Sequence, residues 1–345
     1  MWPFPDLIGP EIGRLADRAW HILMTEPSST TPLGAVILVP FAAVLCLAAG
    51  HIRHLKAFRF RRVFRAMVST RYLTHRSHVF DIIMMFGNIG LFAMMCAQAT
   101  VSVAAVSLAS TRALDAVLGP VADPTAAIAY VGVCWTLGLF LAYELAYFTD
   151  HTLSHRIPVL WEFHKVHHSA EVLTPITNFR VHPIDSIVFV NIVAVIMGIS
   201  KALLMRYAGP APIPVDTWAF ALVFGLAMSI FAQFQHTNVW LPITGPLGHL
   251  IVSPAHHQIH HSSDARHHDK NMGNLLAVFD WLFGTLYVPE KKRQKLAFGV
   301  DTLPNPRHDL HEGLVQPFLD AARHLTPGQA GTGADPVPQH ARRAG

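Results

Sequence analysis

Long apolar runs alternate along this chain with shorter polar segments, and the alternation sets the architecture to expect. Five runs stand out: Pro32 to Gly50, Ile82 to Leu108, Ala126 to Phe148, Ile184 to Met205 and Thr217 to Phe234. Each is about the length of one helical bilayer crossing. The pattern predicts an all-α, multi-pass membrane helical bundle of about five spans, with the last two forming either a hairpin or a re-entrant pair. Gly87 and Gly90 in the second run suit close helix packing. Ser110 to Thr125 and the proline-rich stretch RYAGPAPIPVD read as breaks between runs. The chain is polar from His151 to Pro183, and from His236 to Pro289 it mixes histidine motifs with amphipathic pieces.

Four segments follow. Residues 1–31 form a short interfacial segment with Trp2, Phe4 and Trp20 at headgroup level. Residues 32–125 hold the N-terminal membrane helices, with a basic loop at 51–81. Residues 126–290 form the histidine-bearing domain and include the last three membrane runs. Residues 291–345 are a polar tail, partly disordered, rich in Gly, Pro, Ala and Arg from Pro327 onward.

Composition supports the membrane assignment. The 345 residues are 52% hydrophobic and 14% charged, against about 25% charged in soluble proteins. The formal net charge of +4 invites a nucleic-acid partner, but eight Lys/Arg fall between His51 and Asp81. That run is a membrane-flanking signal, not a nucleic-acid patch. With it inside, five crossings put both histidine regions and the C-terminus on the cytosolic side. Cys46, Cys96 and Cys134 lie in apolar runs without a CxxC pair, so neither a disulfide framework nor a thiolate zinc site is expected. The excess of Arg over Lys, with many Ala, points to a bacterial inner membrane.

The histidines are the anomaly: there are 23, and thirteen cluster in two windows. His151 and His155 are spaced i, i+4 at the end of the third run. His164, His167 and His168 follow in WEFHKVHHS, and His257, His260 and His261 repeat that spacing in HHQIHHS. On a helix each triplet would lie on one face, aimed at one point, an arrangement that is costly unless it holds metal. Glu144, Phe148, His151 and His155 share a face. Glu144 therefore orients a ligand histidine or lines a substrate cavity, unless it snorkels to the interface. Asp150 is a partner of the site or is solvated. Adding His236 and His182 makes ten candidate ligands, too many for one ion and enough for two. Imidazole suits iron, zinc, copper and nickel. A hydrolytic zinc pair normally recruits carboxylates, so the composition favours a redox pair of irons.

The words HTLSH (His151–His155), HKVHH (His164–His168) and HQIHH (His257–His261), in that order, resemble the fatty acid hydroxylase/sterol desaturase superfamily of integral-membrane di-iron oxygenases. The flanking words agree: WEFHKVHHS, FRVHP, QHTN, SPAHHQIHH, DKNMGNLL and FDWLFGT. The similarity runs from about Tyr143 to Pro289. The resemblance implies a cytosolic helical cap carrying the histidine boxes, two iron ions (Fe2+/Fe3+), O2 as co-substrate, and hydroxylation or desaturation of a sterol-like, fatty acyl or other membrane lipid. It also implies an external electron donor of ferredoxin, rubredoxin or cytochrome b5 type, with its reductase. The basic 51–81 loop offers such a donor a landing site.

One departure bears on the ligand count. His236 is followed by Thr237, Asn238, Val239 and Trp240, so the second histidine of an HxxxH pair is missing. The set is completed by His182 or by one of His267 and His268, with His182 preferred. His256 sits at i+4 from His260 and either replaces His257 or stands behind it. Asn271, Gly273 and Asn274 suit a turn, and Asp280 either supports a ligand histidine or caps a helix. Trp281, Phe283 and Tyr287 suit the membrane surface. His249, His267, His308, His311 and His324 suit the surface or helix ends, and His21, His51, His54, His75 and His78 the interface. Two rivals are a histidine-rich membrane metal transporter or sensor and a catalytically inactive relative. The first expects ligands inside the spans, whereas these lie at and beyond span ends.

Overall fold

The computed structural model describes residues 69–99, 101–123, 131–211, 234–300, 303 and 306–325. Among them the structure is helical with no strand. Two isolated antiparallel bridges, Ile251 with Leu276 and Ser262 with Phe298, tie loops together. In chain order the helices are α1 (Arg76–Ala99), α2 (Val103–Leu118), α3 (Val131–Arg156), α4 (Pro158–His168), α5 (Pro183–Tyr207), α6 (Pro254–His260), α7 (Val278–Phe283) and α8 (Gln316–Leu325). The chain divides into two compact units. One comprises Met1–Ala57, Val101–Ala146 and Val193–Ile230; the other comprises Phe58–Thr100, Tyr147–Ile192 and Phe231–Gly345.

In the first unit, small residues set how closely the helices approach. A Cβ at Gly198 of α5 would lie 2.6 Å from Val106 Cβ and 3.0 Å from the Val103 carbonyl, so only glycine fits against α2. The Trp135 indole of α3 donates to the Gly209 carbonyl at 3.0 Å, and Arg206 pairs with Asp115 at 2.9 Å. Among the described residues, α5 alone is long and apolar enough to cross a membrane. Val195, Ile199 and Leu203 form an exposed apolar stripe on it.

The second unit is organised by Arg180, which is fully buried. Its guanidinium donates to Asp81 at 3.0 Å, to the Ser77 carbonyl and hydroxyl, to Ser169, and through Nε to the Val166 carbonyl at 3.0 Å. It also donates to His308 Nδ1 at 2.8 Å and lies 4.7 Å from the centroid of the Phe80 ring. One side chain thus joins the start of α1, the end of α4 and the C-terminal loop. Three helices start where the sequence provides a proline at the first position: Pro158 in α4, Pro183 in α5 and Pro254 in α6. Ser253 caps α6, accepting from the His256 backbone N–H, while the His256 ring accepts from the Ser253 N–H. Gly284 ends α7 in the left-handed region at φ +74°. The amphipathic α8 packs on α4, where Lys165 pairs with Glu162 and Asp320.

Several sequence expectations change here. The second run is two helices, α1 and α2, with Val101 and Ser102 non-helical; the Ser102 side chain caps α2. Most of the expected Ser110–Thr125 break is helical, because α2 continues to Leu118. Gly87 has open space beside it and makes no close packing contact. His78, His267 and His308 are buried, not interfacial or surface residues. His78 bonds Thr174, and His308 joins Arg180 to Glu171. The first and fifth runs, the interfacial segment, most of the basic loop and the tail from 326 lie outside the described residues.

Two substitutions test this packing. Gly198→Val is expected to lower stability by about 1–3 kcal/mol through overpacking against α2. Asp81→Ala strands the buried Arg180 charge and is expected to cost about 3–5 kcal/mol. Thermal unfolding in detergent measures both.

Candidate metal centre

The histidine doublets at the ends of α4 and α6 do not each aim at one point. Nine imidazoles form two adjoining groups. His151, His155, His164, His168 and His260 make the first; His167, His236, His257 and His261 make the second. Within each group one ring nitrogen per residue lies within 4.8 Å of all the others. Residues i and i+4 stay on one side of a helix while i+3 is rotated by about 100° from i+4. So His164 and His168 serve the first group and neighbouring His167 the second. On α6 the allocation is reversed: His257 and His261 join the second group and His260 the first. The groups touch where the His168 and His261 rings stack, 4.5 Å between centroids.

The far side of several rings is held by a hydrogen-bond acceptor. Nδ1 of His151 donates to the Met272 carbonyl at 2.8 Å, and Nδ1 of His260 to the Lys270 carbonyl at 2.8 Å. Nδ1 of His164 donates to Asp185 Oδ2 at 3.0 Å, and Nδ1 of His167 to the Arg180 carbonyl at 3.3 Å. Fixing the proton on Nδ1 leaves an Nε2 lone pair facing inward, the tautomer a metal ligand needs. Nε2 of His164 and of His260 is buried without a hydrogen-bond partner.

Those carbonyls are themselves held. Asn271 sits at φ +57°; its side chain donates to the His256 and Tyr287 carbonyls and accepts from the Tyr287 N–H. Asp280 is fully buried and accepts from the backbone N–H groups of Met272 and Gly273 at 2.7 Å and from the Thr285 hydroxyl at 2.6 Å. A Cβ at Gly273 would lie 2.5 Å from the Leu276 carbonyl, so this loop requires glycine there. Asp280 thus acts on the loop that positions His151, one step further back than a direct histidine partner.

The other sequence candidates lie elsewhere. His182 belongs to neither group. Its Nε2 bonds the Leu314 carbonyl at 3.2 Å and its Nδ1 accepts from the Ile184 N–H, so it starts α5 and joins α5 to the C-terminal segment. Both nitrogens are used. His267 and His268 also lie outside both groups. The position four residues after His236 is Trp240, packed with Ala255 and Ile259 under α6. The second group therefore has four imidazoles where the first has five. His256 ties Ser253 to the Gly248 carbonyl. Glu144 is buried on α3, seven residues before His151, outside both groups. Asp150 is buried, not solvated; burial, then the nearby Asp185 carboxylate, push it up to about 7 against the opposing pull of His164. Asp185 was legible only as an acid in the first turn of a membrane run, and Arg180 only as part of FRVHP.

Burial holds His151, His167, His168, His257 and His261 well below the ordinary histidine value, and neighbouring imidazoles push the same way. His260 is lowered to about 3 by burial despite its Lys270 carbonyl partner. The rings are neutral ligands near pH 7. Nε2 atoms face one another at 3.0 Å (His236–His167), 2.9 Å (His257–His236) and 3.1 Å (His261–His257, and His155–His168 in the first group). Metal–imidazole bonds of about 2.1 Å set neighbouring nitrogens about 3.0 Å apart at right angles, against about 3.4 Å in a tetrahedron. The residues of the two groups would fit one metal ion each.

Comparison with known proteins places this geometry. Residues 136–285 match the fatty acid hydroxylase family model. The chain is 32% identical over 155 residues to the ornithine lipid hydroxylase OlsE of Rhizobium tropici, a match covering 45% of this chain and 42% of that protein. It is 27% identical over 170 residues to the alkylglycerol monooxygenase of Homo sapiens, covering 48% and 33%. It is 30% identical over 173 residues to the very-long-chain aldehyde decarbonylase GL1-1 of Oryza sativa subsp. indica, covering 47% and 25%. The chain thus spans less than half the length of each of these relatives. No solved structure matches it. The segment that carries the two imidazole groups is a domain of the fatty acid hydroxylase/sterol desaturase superfamily.

Proposed function

We propose that this protein is a membrane-bound di-iron oxygenase that hydroxylates a C–H bond of a membrane lipid. One observation carries the proposal: nine buried imidazoles divide five and four, each offering one ring nitrogen within 4.8 Å of the others in its group. In this reading His151, His155, His164, His168 and His260 hold one iron, and His167, His236, His257 and His261 hold the other. Iron held there would supply the activation of O2. The overall change is R–H + O2 + 2 e− + 2 H+ → R–OH + H2O, so two electrons must come from a ferredoxin, rubredoxin or cytochrome b5 type donor. An imidazole-only set with no carboxylate ligand favours redox-active iron over a hydrolytic zinc pair. Hydroxylation is preferred to desaturation because the named activities of two relatives are a hydroxylase and a monooxygenase.

The chain's own residues supply order and dryness. Asp185 and the carbonyls of Met272, Lys270 and Arg180 fix the tautomers. Burial keeps His151, His167, His168, His257, His260 and His261 from taking a second proton, so at these rings metal loading does not compete with protons near neutral pH. Trp281, Leu282 and Phe283 are 58–67% exposed, and Phe283 stacks on Phe148 at 5.3 Å, one turn before His151. That apolar surface suits a lipid approaching from the bilayer. The wider reading is a multi-pass protein of a bacterial inner membrane with the histidines on the cytosolic side, supported by the apolar helix α5 and the polarity of the histidine-bearing segments.

Purified protein is expected to carry about two irons per chain, and His167→Ala or His260→Ala to lose most of the metal and more than about 99% of the activity. Metal analysis beside turnover measures this; full iron in either variant contradicts the ligand assignment. In the source cell, deletion of the gene should remove a lipid species about 16 mass units heavier than its precursor. Lipid mass spectrometry reads the shift, and a difference of minus two units would point to desaturation.

A further inference from the structure

The first imidazole group comes close to the surface at a small cavity, and an exposed basic run leads into one wall of that cavity. A cavity about the size of a single water molecule is lined by His155, His168, His260 and His261, with half-buried Trp161, Ser263, His268 and Gly299 at its rim. It is far too small for a lipid. The Trp161 ring contacts three imidazoles of the first group, with centroid distances of 5.2 Å to His155, 5.5 Å to His168 and 6.3 Å to His164. The far wall is the strand-like segment that follows the basic run. Ser263 N–H donates to the Ala297 carbonyl at 3.0 Å, and Ser262 bridges Phe298.

Immediately before that wall come Lys291, Lys292, Arg293 and Lys295, all exposed, with Glu290 the single acid among them. Among the described residues none of these four cations forms an ion pair; the nearby Arg266 does, with Asp264 at 2.6 Å. At the mouth itself Asp269 lies 3.7 Å from His155, and Glu171 is paired with His308. The cations project from a segment fixed to the cavity rim, four residues from Gly299.

We propose that the Lys291–Lys295 segment and the adjoining rim around Trp161 are the docking surface for a small acidic one-electron iron–sulfur protein. The proposal rests on the di-iron reading. A positive patch of this kind steers an acidic carrier and orients it in a brief, small-area encounter. The carrier's cluster is oxidised by one electron and the metal centre is reduced by one; two encounters supply the pair. Trp161 gives the shortest aromatic contact between rim and ligands. A lipid headgroup surface is the poorer occupant, because membrane-binding basic segments interleave apolar anchors and Glu290–Lys295 has none. The exposed apolar trio Trp281–Phe283 is a separate feature.

The test uses the full-length iron-loaded protein in detergent and its K291E/K292E/R293E/K295E variant. An acidic [2Fe–2S] ferredoxin and dithionite serve as alternative reductants, followed by stopped flow. The wild-type rate with ferredoxin should fall as salt rises. The variant should reduce at least about tenfold more slowly with ferredoxin at low salt, with iron content and dithionite reduction unchanged. Equal ferredoxin rates in the two proteins overturn the proposal, as does a parallel loss with dithionite. Unchanged ferredoxin rates with lost binding to phosphatidylglycerol vesicles assign the patch to lipid instead. If the wild type holds no reducible iron, the di-iron reading itself fails. Salt-dependent binding of ferredoxin to the metal-free chain, lost in the variant, then still decides the docking surface.

Discussion

Nine imidazoles, buried and packed close together in two groups, are the constraint on which this molecule depends. Imidazole nitrogens facing one another at 2.9–3.1 Å repel unless something positive lies between them. A neutral ring's single proton can bridge one such pair as an N–H···N hydrogen bond, but it cannot serve several facing nitrogens at once. Burial and the neighbouring rings oppose a second proton on His167, His257 and His261. Metal cations can serve several at once. The same burial that opposes a second proton makes the cluster a strong, neutral ligand set, and much of the second unit serves to keep its rings from turning away.

That service is done mostly by groups that never touch the metal positions. Arg180 shows it most clearly. Its guanidinium ties α1, the end of α4 and the C-terminal loop, while its own carbonyl takes the His167 Nδ1 proton. Asp280 and Asn271 shape the loop whose Met272 and Lys270 carbonyls fix His151 and His260. Asp185 does the same for His164 directly. A metal site built from imidazoles needs its ligands orientated before metal arrives, and the buried polar network supplies that order.

The histidine words were visible in the chain because i, i+4 spacing on a helix is local geometry. His151, His155, His164, His167, His168, His257, His260 and His261 were legible as candidate ligands that way, and His236 from its place after the last apolar run. Their division was not. Which side of a doublet joins which group depends on how α4 and α6 face each other, and no local spacing records that. His182 misled for a related reason: it sits beside the second box in sequence, but the start of α5 and the Leu314 carbonyl take both its nitrogens. The helical class followed from the apolar runs. The break between α1 and α2 did not, because α1 stops at Ala99 and Ser102 caps the next helix inside an otherwise apolar stretch. The burial of Arg180 and Asp81 was hidden because a charge on a polar segment reads as solvated until its partner is seen.

The most direct test of the central claim is iron K-edge X-ray absorption on the purified, iron-loaded protein. Groups of five and four imidazoles predict four to five per iron, with Fe–N distances of about 2.1 Å and no sulfur scatterer. One or two imidazoles per iron, or a sulfur shell, would contradict the account.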